Sequence, residues 1–102
     1  MSTSLSPAQH DEIVRIQALQ FLADGYDVRA RLEGWFEPPD FVNGYRPDVV
    51  AHKGGRFIIV EVEKSEIDWP KISAFEQFVA SKPNFELRTI PAWRDLARKT
   101  GT

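Results

Sequence analysis

Three acidic residues and the spacing between them carry the chemistry legible in this chain. Asp48 is followed, after twelve intervening residues, by Glu61, and Glu63 stands two positions further on, in the pattern Pro47-Asp48 … Glu61-Val62-Glu63-Lys64. Carboxylates brought into one place must share a proton, find cations or bind a metal. An all-oxygen donor set suits a hard ion, magnesium or manganese. Whether the acids meet depends on the strands that carry them.

Arg46–His52 and Arg56–Glu63 read as two strands separated by Lys53-Gly54-Gly55. If Gly54-Gly55 forms a two-residue primed turn, where glycine adopts positive φ without steric penalty, Asp48 lies opposite Glu61. Arg46 then lies opposite Glu63, Val50 opposite Ile59, and His52 opposite Phe57. The reverse face, Pro47, Val49 and Ala51 against Ile58, Val60 and Val62, is wholly apolar and belongs to a core. The forward face is apolar near the turn and acidic at its far end. Directly opposed residues have Cβ atoms about 4.5–5.5 Å apart, and like charges there destabilise a sheet. A metal between them removes that conflict. Two other readings stay open: a splayed strand end where Arg46 and Lys64 neutralise Glu63 and Glu61 as surface pairs, and a Lys53-Gly54 turn that sets Asp48 against Ile59.

The remaining elements follow from capping and periodicity. Ser6-Pro7-Ala8-Gln9 is a capping box that opens a helix over roughly 7–24, with Gly25 as its stop. Val28–Trp35 alternates as a half-buried strand. Glu37–Tyr45 is rich in turn formers and aromatics and is expected as an exposed loop. Asp68 or Ser65 caps a second helix whose buried stripe is Ile72, Phe75, Phe78 and Val79. Phe85–Ile90 is a strand, and Pro91 opens a last helix. The expected order is α-β-β-β-α-β-α, a single α/β domain over 1–102.

Composition narrows the classes of function. The chain has 102 residues, 42% hydrophobic, enough for a real core. Without cysteine it holds no disulfide, thiolate metal site or cysteine nucleophile. No apolar signal segment or membrane-length stretch appears, so a cytoplasmic protein with no membrane partner is the expectation. The net charge of −2 argues only mildly against nucleic acid, because metal-binding carboxylates themselves lower it. His10 and His52 lack metal-ligand spacing. No G-x-S-x-G, P-loop or dinucleotide fingerprint is present.

The pair Pro47-Asp48 with Glu61-Val62-Glu63-Lys64, on adjacent strands of this element order, resembles the PD-(D/E)xK nuclease superfamily over roughly residues 7–90. The resemblance implies a restriction-endonuclease-like α-β-β-β-α-β core, a mixed sheet flanked by helices. It further implies a Mg2+- or Mn2+-dependent endonuclease that hydrolyses DNA phosphodiester bonds. Asp48 and Glu61 would be metal ligands, with Glu12 of the first helix as a further candidate. The superfamily's lysine, two residues after the second acid, is here Glu63, as in the E-x-E variants, where the second glutamate does the lysine's work. Lys64 is the neighbouring ammonium, pointed by strand alternation to the opposite face, and Lys71 offers another from the next helix. DNA is the implied partner, with a homodimer or a partner subunit alongside. The alternative is a catalytically inactive module of the same fold acting in DNA binding or protein interaction.

Overall fold

Ser6 starts the first helix by two reciprocal hydrogen bonds: its Oγ accepts from the Gln9 amide at 3.1 Å, and Gln9 Oε1 accepts from the Ser6 amide at 2.8 Å. The structure, a computed structural model, describes residues 5–65 and 68–92. Helix α1 spans Pro7–Ala23, and Gly25 turns the chain away at φ +86°. Four strands follow the order expected from the sequence, β1 (Asp27–Ala30), β2 (Val49–Lys53), β3 (Arg56–Val62) and β4 (Phe85–Ile90), with helix α2 (Trp69–Ala80) between the last two. The helix expected after Pro91 falls almost wholly outside the described residues.

The strands form one sheet in the order β1-β2-β3-β4, antiparallel except for the parallel pair β3 and β4, which α2 connects. Val49 pairs with Val60, Val50 with Ile59 and His52 with Phe57. That register is the one set by a Gly54-Gly55 turn, with both glycines at positive φ (+57° and +81°), as a type I′ turn requires.

Each face of the sheet is covered by one helix. Val14, Ala18 and Phe21 of α1 pack on the reverse face, against Val49, Ala51, Ile58, Val60 and Val62. Ile72 and Phe75 of α2 cover Ile59 on the forward face, with Phe78 and Val79 half-buried beside them. Ile16, Leu19 and Leu22 stay exposed on the outer side of α1.

Two strands are shorter than their alternation suggests, for local reasons. The first was expected over Val28–Trp35 but ends at Ala30, because the chain reverses to bring the Glu37 carbonyl to the Ala30 amide (3.2 Å). Trp35 folds back on that reversal and donates its indole N–H to the Val28 carbonyl at 3.0 Å. Its apolar spacing therefore reports an anchored loop. The second, expected from Arg46, starts at Val49: Pro47 has no N–H to give, and the Asp48 amide is bound by a side chain, Glu61 Oε1, at 3.2 Å. The loop before it is pinned rather than free. Val42 is buried, and Asn43, in a tight turn with Gly44, donates from its amide to the Ala74 carbonyl of α2 at 2.9 Å.

Candidate active site

Asp48 and Glu61 come together at the end of the sheet remote from the hairpin turn, where the register continues Val49–Val60 by one further pair. Both are almost fully buried, at 3% and 2% exposure. Carboxylates so placed are uncommon unless something compensates them. Asp48 Oδ2 accepts the Val62 amide at 2.9 Å and lies 3.2 Å from His10 Nε2. Glu61 answers with Oε1 on the Asp48 amide, while Oε2 pairs with the Lys71 ammonium. The two acids are thus cross-tied through each other's strands. His10 reaches Asp48 from the first turn of α1, and Lys71 reaches Glu61 from the first turn of α2, so a basic side chain arrives from each side of the sheet.

The electrostatics follow from this crowding. Burial, reinforced by the nearby Asp48 charge, raises Glu61 to about 7, with Lys71 only partly opposing it. Burial would also raise Asp48, but hydrogen bonds from His10 and the Val62 amide outweigh it and hold the carboxyl below its usual range. The hydrogen bond to Asp48 raises His10 against the opposing effect of burial. One acid is thereby kept ionised and the other poised near neutrality, an arrangement characteristic of functional sites.

These residues line an open cleft of about 450 Å³. Glu63, 8% exposed, lines it directly after the end of β3. Lys64 lines it too. Strand alternation was expected to send Lys64 to the opposite face, but β3 stops at Val62 and the chain bends there. Arg31 and Lys71 add further positive charge. Glu12 lies elsewhere: it is exposed and pairs with Arg15 at 3.4 Å, so the first helix delivers His10, not Glu12, to the acids.

His10 was the residue that sequence reasoning passed over. Its signal was present in the periodicity, because His10, Val14, Ala18 and Phe21 are the buried positions of α1, at helical spacing. A titratable ring on an apolar stripe needs a polar partner, and Asp48 is that partner. Glu12, two residues on, projects from another side of the helix.

The donor set suits a hard divalent cation as two adjacent carboxylates do, since magnesium is commonly held by one or two carboxylates with water completing its shell. Among the described residues no group of three or more His, Asp or Glu side chains is gathered closely enough to hold an ion unaided. His10 contacts Asp48 and Lys71 contacts Glu61. Nor is any helix among those residues long and apolar enough to cross a membrane.

Comparison with known proteins adds one finding. No curated protein and no solved structure matches the chain. A family model described as REase_AHJR-like, a restriction-endonuclease-like family, matches residues 1–94. The α-β-β-β-α-β order and mixed four-stranded sheet agree with that fold. With nearly its whole length matched, the chain belongs to the AHJR-like family of restriction-endonuclease-like proteins.

Proposed function

We propose that this protein is a metal-dependent endonuclease that hydrolyses DNA phosphodiester bonds, with Asp48 and Glu61 holding Mg2+ or Mn2+. What carries the reading is the buried pair itself. A hydrophobic core gains nothing from two acids tied to each other's strands, whereas hydrolysis of a phosphodiester needs charge relief at the place where they sit. The ion, once bound, supplies that relief and renders a nearby water more acidic. Glu63 takes the proton from the attacking water, the water oxygen bonds to phosphorus, and the bond to the leaving oxygen breaks, that oxygen taking a proton from solvent. Lys71, which pairs with Glu61, would offset phosphate charge together with Lys64. His10 keeps Asp48 ionised and oriented. A homodimer or a partner subunit belongs to the same proposal.

A second reading has its own support. Glu63 occupies the superfamily's lysine position, and both carboxylates are engaged by basic side chains, His10 and Lys71, so a non-catalytic module for DNA binding or protein interaction fits the same fold. Supercoiled plasmid incubated with the protein and magnesium or manganese separates the two. Nicking that disappears in Asp48→Ala and Glu61→Ala, both still folded, is the expected outcome. Metal binding without nicking of duplex, branched or single-stranded DNA would favour the second reading.

A further inference from the structure

A second cavity, of about 630 Å³, opens on the forward face of the sheet toward the hairpin turn. Its size is that of a small-molecule site. Its floor is aromatic. His52 stacks on Phe57 with ring centres 4.2 Å apart and planes 10° apart, and Phe57 stacks on Phe85 at 4.5 Å and 7°. Phe78 meets Phe85 edge-on at 4.9 Å. At the mouth stand two largely exposed apolar rings, Phe36, 92% exposed, and Phe41, 64% exposed.

Around the aromatic groove are Asp27, Glu37 and Asp40, with Arg29 shared by Glu37 (3.5 Å) and Asp40 (3.3 Å). Such a rim repels phosphate but accepts hydrogen bonds from exocyclic amino groups of bases. The carboxylate cleft carries Arg31, Lys64 and Lys71, groups that suit a phosphate backbone, beside its acids Asp11, Asp48, Glu61, Glu63 and Asp68. Phe57 and Glu61 lie on one face of β3, four residues apart, which is about 13 Å along the strand. That span is roughly four nucleotide steps at duplex rise, fewer for a stretched strand. Arg46, two residues before Asp48, links the regions by holding its guanidinium 4.4 Å over the Phe41 ring.

We propose that the aromatic groove holds unpaired bases of a nucleic-acid strand whose backbone crosses the carboxylate cleft. The floor rings already stack on one another, so the free faces that receive bases are those of the exposed Phe36 and Phe41, and the acidic rim receives the amino edges. The substrate class is therefore DNA with an unpaired strand next to the cut. The course given to the backbone rests on the nuclease reading; the base site does not.

The test is made in EDTA, where cleavage cannot occur. A single-stranded oligonucleotide carrying 2-aminopurine is titrated with the protein and its fluorescence followed. Saturable quenching is expected, with a blunt duplex of the same sequence binding more weakly. Phe36→Ala with Phe41→Ala is expected to weaken binding about tenfold or more, in line with the loss of stacked bases. Both rings are exposed, so the double variant should melt as the parent does. Binding of the double variant equal to the parent's, or binding without quenching, would overturn the proposal whatever the plasmid assay shows. Loss of self-association in the double variant, seen by sedimentation without any change in oligonucleotide binding, would overturn it too and make the groove a contact between copies. Quenching that depends on the two rings in a protein that never nicks DNA would uphold the groove and remove the nuclease reading alone.

Discussion

At the scale of single residues, Glu61 sits between two opposing influences, Asp48 and burial on one side and Lys71 on the other, and its proton records which prevails. Its pKa rises from 4.5 to about 7, so the folded state binds a proton more tightly than the unfolded chain. Stability from this group is complete below pH 4.5 and falls as pH climbs through 7, by an amount on the order of 3 kcal/mol. His10 acts in the same direction: raised above 6.5, it contributes below that value and ceases to as pH passes its folded pKa. Asp48, lowered from 3.8, contributes above that value and loses its contribution on acidification. The metal-free protein should therefore melt at a higher temperature at pH 5 than at pH 8. Glu61→Gln, which cannot titrate, should flatten that slope, and magnesium should raise the melting temperature of the parent chiefly at pH 8, where the carboxylate is free of its proton. A thermal melt of both proteins across pH 4–9 checks this. An unchanged slope in Glu61→Gln would assign the pH dependence to other groups.

At the scale of elements, the hairpin aims the site, and its turn is the place to disturb that aim. Gly54 and Gly55 have open space around them, so substitutions there act through backbone conformation alone. Asn accepts positive φ and commonly begins such turns, so Gly54→Asn is expected to leave stability and nicking near the parent's. Gly55→Val places a β-branched residue at φ +81° and is expected to cost about 1–2 kcal/mol, with activity falling as the register loosens. Urea melts beside the plasmid assay measure both. This hairpin was also the most legible part of the sequence, because two glycines between strands of opposite patterning leave few registers that keep Val49, Ala51, Ile58, Val60 and Val62 on one buried face. Capping residues made α1 and α2 legible in the same way. The first strand was harder, since Leu32 and Trp35 are apolar in order to pin a loop, and spacing does not separate that from a strand. Glu12 was singled out by its type alone, although the stripe through His10 already set the inward side of the helix.

At the scale of the whole molecule, two helices clamp one sheet from opposite faces and bring their first turns to the same sheet end. Backbone amides at a helix N-terminus carry partial positive charge, so both helices favour the buried acids they approach. Lys71, and His10 when protonated, offset the charge of the acids inside the fold. The measurement that bears most directly on the account is calorimetric titration of manganese into the parent, Asp48→Asn and Glu61→Gln at pH 8, with folding verified for each. A saturable site in the parent, weakened tenfold or more in each variant, is the expected result. Equal binding by all three proteins, or none by the parent, would contradict it.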